Sequence, residues 1–339
     1  MVSHKKSSKK KTAIIPVVEK TCTHLINYEK SLDSAKELKK AIEEGDTDAK
    51  IRALKSVILL ELNGEPQHQL LMSIIRFILP SKDHTLIKLL LYYWEIVSKT
   101  SPGGKMNDVM LLVPNYLLTY LKHPNEYIQG CTLRLMCKIK HRFILAPLVE
   151  EIIKNLGSRF SFVKRNAVMA IYFVYQRFPD LMPNAPDIIY TFIQQENDVS
   201  SKRNAFIMLF YCDQAKATKY LKSTIDDVSE SGDLFQLVVL DLIRKLCQSN
   251  PHEKLKYLRV ITSLLHSKSS SVLYQCAQTL TAISSSPTAI KAAARCYNTL
   301  LNLSDNNVKL IVLDRILELK DKYPRVMQDS VMDLLRALK

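Results

Sequence analysis

Ser161-Phe162-Val163-Lys164-Arg165-Asn166-Ala167-Val168-Met169-Ala170-Ile171 is a word that this chain uses more than once. Ser201-Lys202-Arg203-Asn204-Ala205-Phe206 is a close copy and runs on through apolar residues to Phe210. Looser copies begin at Glu126 (Glu126-Tyr127-Ile128-Gln129-Gly130-Cys131), at Ser271 (Ser271-Val272-Leu273-Tyr274-Gln275-Cys276) and at Asn307 (Asn307-Val308-Lys309-Leu310). The steps between copies are roughly 35 to 38 residues, and the gap from Ser201 to Val272 is about two steps.

A period of that length belongs to stacked helical pairs of the HEAT and armadillo kind. The predicted fold is therefore an all-α HEAT/armadillo-like α-solenoid of stacked antiparallel helix pairs. A single pair cannot bury its apolar face alone, so each copy leans on its neighbours. Function is then expected on the surface of the stack and not in a pocket between domains.

Composition agrees. The 339 residues are 47% hydrophobic and include only 7 Gly, which supplies a core and disfavours phosphate-cradling loops. Helical spacing predicts elements over 34–44 and 48–62, with Gly45-Asp46 as stop and N-cap, then 67–79 and 83–98. Further helices are predicted over 106–121, kinked or broken at Pro114, and from His123-Pro124-Asn125 to about Ile139. The remaining pattern gives 143–156, 162–178, 185–195, 200–211, 216–229, 234–247, 252–266, 271–284, 289–303, 308–320 and 324–338. No segment alternates as a strand would. Ser101-Pro102-Gly103-Gly104 is the expected flexible linker.

Two regions are expected: a basic, disordered tail over 1–21 and a helical-repeat trunk over 22–339. Val331, Leu334, Leu335 and Leu338 form an apolar stripe that wants another helix, so the trunk is expected to be a truncated piece or to be covered by a partner.

The formal net charge of +15 allows an acidic partner: nucleic acid, an anionic membrane or an acidic protein face. Lys5, Lys6, Lys9, Lys10 and Lys11 are a candidate membrane tether, worth about 1 kcal/mol per basic residue at an anionic bilayer, or simply a solvated end. Lys164, Arg165, Lys202 and Arg203 lie one repeat apart and are a candidate basic edge facing phosphates. The competing reading keeps the charges solvated while Asn166 and Asn204 bond the backbone of a neighbouring repeat. Phe160, Phe162, Tyr172 and Tyr175 sit at helix-core spacing and read as packing.

Chemistry finds no foothold. Gly103-Gly104-Lys105-Met106 lacks the leading Gly and the Ser/Thr of a phosphate loop, and His252-Glu253-Lys254-Leu255-Lys256 has Lys where a zinc helix needs its second His. The seven cysteines are scattered without a metal spacing and read as buried small hydrophobes in a reducing compartment. No catalytic, cofactor-binding or metal-ligating residue is assigned, and no enzyme is expected. With no signal peptide and no run of about 20 apolar residues, a soluble cytosolic protein is expected.

Longer words resemble a known family. Ser73-Ile74-Ile75-Arg76-Phe77-Ile78-Leu79-Pro80, His123-Pro124-Asn125-Glu126-Tyr127-Ile128, Pro287-Thr288-Ala289-Ile290-Lys291 and Asp305 through Lys320 are similar to the beta subunits of coatomer, the COPI vesicle coat. The two basic words match as well, and the resemblance runs from about Cys22 to the end.

The resemblance implies an adaptin-like trunk, related to the large subunits of clathrin adaptors, that acts as a non-catalytic coat scaffold. It implies other coatomer subunits as partners, a delta-type longin-bearing subunit foremost. Recruitment would be by the GTP-bound form of an Arf-family GTPase, for transport between Golgi and ER. The protein would then be cytoplasmic, and peripheral on Golgi membranes and COPI-coated vesicles. In related adaptor subunits the GTPase touches exposed apolar positions on an early helix. Carried over by position, these fall near Leu111 and Pro114, although Pro114 departs from the family pattern and Leu111 reads equally as core. The rival from another class is a basic HEAT-repeat nucleic-acid-binding or transport-receptor protein. Nucleic acid is the less expected partner.

Overall fold

The computed structural model describes residues 34–100, 108–249, 254–303 and 305–328. No β-strand element occurs among these residues, so the all-α helical-repeat expectation holds. The described residues fall into two compact units, one reaching Tyr116 and the other beginning at Leu117.

In the first unit, α1 (Ala35–Glu44) opens on a capping box. The Ser34 hydroxyl accepts from the Glu37 amide, and the Glu37 carboxylate accepts from the Ser34 amide at 2.8 Å. Gly45 ends α1, and Asp46 caps α2 (Thr47–Leu62) by accepting from the Ala49 amide at 2.8 Å, as the stop-and-cap reading requires. Gly64 closes α2 at φ 78°, a left-handed conformation that any Cβ would strain.

The element expected over 67–79 is not one regular helix. A 3-10 turn at His68–Leu70 leads into α3 (Leu71–Ser73) and then a π turn at Ile74–Ile78, where the Leu79 amide reaches the Ile74 carbonyl at 3.0 Å. The changing pitch brings Leu70, Leu71, Ile74, Ile75 and Ile78 all into the core, while the Ser73 hydroxyl donates to Glu43 at 2.7 Å. Asp83 caps α4 (His84–Ile96), which packs on α2 and buries Leu86, Leu90, Tyr93 and Trp94.

The break expected at Pro114 is present. Asp108–Leu112 is a 3-10 segment and α5 (Val113–Leu121) starts one residue before the proline, where a missing amide proton costs nothing. Asn125 caps α6 (Glu126–Met136).

The helix expected over 143–156 is split by Pro147 into α7 (Arg142–Leu145), a 3-10 turn at Ala146–Leu148, α8 (Val149–Lys154) and a closing 3-10 turn at Asn155–Gly157. Then come α9 (Ser161–Arg177), α10 (Ala185–Gln195), α11 (Val199–Cys212) and α12 (Gln214–Ser223). The last of these stops earlier than the expected 216–229, because the Ser223 and Thr224 hydroxyls both turn back onto the Tyr220 carbonyl. Finally α13 (Asp233–Ser249), α14 (Lys254–Leu264), α15 (Ser270–Ile283), α16 (Pro287–Leu301), α17 (Asn306–Lys322) and α18 (Pro324–Met327) complete the described part of the second unit. The basic tail, the 101–104 linker and the stripe from Val331 to Leu338 lie outside the described residues.

The repeated words land on one set of helices. α6, α9, α11, α13 and α15 pack in succession, and α17 joins α15 through Arg315 Nε, which donates to the Tyr274 hydroxyl at 3.1 Å. The double step in the sequence is filled by α13, a repeat that keeps the apolar face but has lost the basic word. Its buried Gln236 instead donates to the carbonyls of Val228 (3.1 Å) and Ser231 (2.8 Å), holding the turn before it. Helices α10, α12, α14 and α16 form the pairing partners that pack against this succession.

Candidate functional site

The basic word begins each of two neighbouring helices, and the fold treats the two copies differently. In α9, Val163, Ala167, Val168, Ala170 and Ile171 are buried, which turns Lys164 toward the loop that precedes α11. There Lys164 Nζ sits 2.7 Å from Glu196 Oε2 and donates to Oε1 at 2.8 Å. The Glu196 side chain is only 5% exposed and the Lys164 side chain 19%. Glu196 Oε1 also accepts from the amides of Asn197 and Asp198, both at 2.8 Å. Burial pushes the Glu196 carboxyl upward, but the Lys164 ammonium and these two amides outweigh it and hold the group below its ordinary value. Lys164 is thus a structural cation, neutralised inside the stack.

The other members of the expected edge stand apart from it. Arg165 is exposed, with its guanidinium 5.0 Å from the centre of the Phe162 ring. Lys202 lines a hollow with Asp227 and Glu230 between α11 and the turn before α13. Arg203 is half-buried and donates from one guanidinium nitrogen to Asn204 Oδ1 at 3.3 Å. Asn204 Nδ2 donates across the junction to the Arg165 carbonyl at 3.0 Å, the inter-repeat bond that the competing reading describes. Asn166 does not: its Nδ2 donates to the Phe162 carbonyl of its own helix at 2.6 Å.

Leu111 and Leu112 lie on the 3-10 segment before α5 and are 54% and 47% exposed, while the preceding Met110 is buried. Leu111 is therefore surface and not core. Pro114 is buried, so of the two positions carried over from the resemblance only Leu111 offers side-chain surface. Lys5, Lys6, Lys9, Lys10 and Lys11 lie outside the described residues.

Cys247, Cys276 and Cys296 are buried, whereas Cys131, Cys137 and Cys212 are only half-buried, short of the fully buried cysteines expected. Burial pushes the Cys276 thiol up to about 12 and the Cys137 thiol to about 11, which keeps both in the unreactive protonated form at neutral pH. Among the described residues no cluster of His, Cys, Asp and Glu has metal-holding geometry, and no helix is long and apolar enough to cross a membrane.

Sequence reasoning passed over Glu196, Gly130, Tyr127 and Arg159. Glu196 carried a signal: it stands two residues before Asp198, which caps α11, and so next to the helix that answers α9. Gly130 carried one too, as a glycine in the middle of a helical word. A Cβ there would overlap the Phe162 ring of α9.

Stacked helix pairs with their distinctive side chains along the joints define a helical-repeat trunk of the adaptin type. The chain belongs to the adaptin N-terminal region family, which it matches over residues 31–338. It is 50% identical to the Dictyostelium discoideum coatomer subunit beta over 95% of its own length and 35% of that protein's, and 50% identical to the Rattus norvegicus coatomer subunit beta over 94% and 34%. The resemblance carried by the longer words is thereby shown. The chain spans about a third of the length of these relatives. Its backbone superposes on a chain of a homology model of the full-length AP-3 complex in an intermediate open conformation, with a TM-score of 0.71, covering 86% of this chain and 51% of the other at 15% identity. That likeness supports the fold.

Proposed function

We propose that residues 22–339 serve as a non-catalytic scaffold trunk of a COPI-type coat, with residues 1–21 as a separate basic tail that adds affinity for an anionic membrane. The half-identity to coatomer beta subunits, running through nearly the whole chain, is the observation that supports this most directly. A GTP-bound Arf-family GTPase would recruit the trunk to Golgi membranes, and a delta-type longin-bearing subunit would cover part of its surface. The traffic served is that between Golgi and ER. The candidate GTPase contact is Leu111 with its exposed neighbour Leu112, since Pro114 is buried. Several weak contacts to GTPase, lipid and subunit would combine by avidity into a switchable attachment.

A pull-down on the GTPase, loaded with a non-hydrolysable GTP analogue or with GDP and with or without the longin-bearing subunit, tests the reading. Retention only on the GTP form supports it, and retention on neither form with the subunit present defeats it. Leu111→Asp should lower recruitment to GTPase-bearing liposomes about tenfold with unchanged helical content, as loss of a central apolar contact does. Unchanged recruitment would remove Leu111 from the site. The nucleic-acid alternative predicts tight RNA binding with a steep salt slope. The neutralised Lys164 and the acidic residues around Lys202 speak against a continuous phosphate-facing ladder.

A further inference from the structure

The start of α6 and the start of α9 together make a surface that the coat reading leaves unused. Tyr127, in the first turn of α6, is 64% exposed. Its ring lies 5.6 Å from that of Phe162, which sits over Gly130 of α6. Arg165 covers one part of this aromatic pair at 5.0 Å, and Arg159 lies 4.6 Å from the centre of the neighbouring Phe160 ring. Both arginines are exposed. Neither has a carboxylate partner among the described residues, and the nearby Glu196 pairs with Lys164. Glu126 is the single acidic residue in the first turn of either helix, and Asp198, which bonds the Ser161 hydroxyl, lies beside the start of α9 together with the paired Glu196. No side chain caps the start of α9.

We propose that this patch binds a short acidic segment of a partner protein, with an aromatic or aliphatic side chain seated on Tyr127 and Phe162 and adjacent carboxylates received by Arg159 and Arg165. Guanidiniums held over rings present a fork that matches a carboxylate. Tyr and Arg on a partly apolar patch are also the residues that dominate protein–protein contacts. An anionic bilayer is served better by flexible lysines, and the lysine within this word is held in an ion pair. The inference goes beyond the coat reading and stands without a GTPase.

The test is fluorescence anisotropy of the full chain with a fluorescein-labelled peptide in which Asp and Glu flank two Phe residues. The Arg159→Glu/Arg165→Glu double variant should weaken binding at least about tenfold, and Tyr127→Ala about fivefold. Lys140→Glu/Lys268→Glu, which makes the same charge change at two other exposed lysines, should stay within about twofold. Arg159→Lys/Arg165→Lys keeps the charge but loses the fork and should recover only part of the affinity. Circular dichroism on each variant separates lost binding from lost fold. Absence of binding by the unaltered chain, or equal losses in the two double charge variants, overturns the proposal. So does a double variant that releases phosphatidylserine vesicles while keeping the peptide, since the patch would then be a lipid face.

Discussion

Lys164 of α9 and Lys202 of α11 occupy the same place in the same word, yet only one is part of the interior. The loop after α10 brings Glu196 onto Lys164, two residues before the cap of α11, and the pair closes in a nearly dry joint. Counting the same way, Glu230 stands two residues before the residue that precedes α13. It remains exposed, sharing a hollow with Lys202 without pairing. The lesson is that a repeated word sets which face a residue takes, while the neighbouring repeat sets what that residue does there. The two asparagines repeat the point: Asn204 ties α11 to α9, and the matching Asn166 ties only α9 to itself.

The largest effect should come from breaking the closed joint. Glu196→Ala removes the hydrogen-bonded counter-charge of the largely covered Lys164 ammonium, leaving only the weaker pull of Asp198, and should cost about 3 kcal/mol, whereas Glu230→Ala should cost less than about 0.5 kcal/mol. Urea unfolding of the two variants measures the contrast, and equal losses would dissolve the distinction between the joints. The same joint has a pH signature. Because the folded Glu196 carboxyl is held below its ordinary value, its contribution is fully present above about pH 4.3 and is lost as pH falls through the lowered folded value. Glu196→Gln should flatten that acid limb of the stability profile, and Glu230→Gln should leave it in place.

Next in size is the notch at Gly130. Gly130→Ala puts a methyl group into the Phe162 ring and should destabilise by about 1–3 kcal/mol, partly recovered by Phe162→Leu in the double variant. No recovery would mean that the glycine serves α6 itself and not its packing with α9. Smallest is the asparagine contrast. Asn204→Ala should cost about 1 kcal/mol for a lost bond between helices, and Asn166→Ala about half that or less, read by thermal unfolding.

The pattern of residues carried the architecture far. Apolar positions at helical spacing, prolines at joints and the recurrence of one word were enough for an all-α repeat stack, because each of these acts within one or two turns of its own helix. The cap at Asp46 was legible for the same reason, and Ser34, Asp83 and Asn125 cap in the same local way, each bonding amides two or three residues away. Pitch was less legible. The π turn at Ile74–Ile78 shows only in the fold, and the four residues of the basic edge take four different settings: Lys164 in an ion pair, Arg165 over a ring, Lys202 in an acidic hollow and Arg203 on Asn204.

What the sequence determined by itself was the helical repeat and the burial face of each copy, since local spacing decides which side chains share a side of a helix. What only the tertiary structure decided was partnership. Lys164 meets Glu196 across 32 positions, and Phe162 settles on Gly130 from the next helix of the stack. Such meetings depend on the offset between stacked helices, to which no single repeat is sensitive.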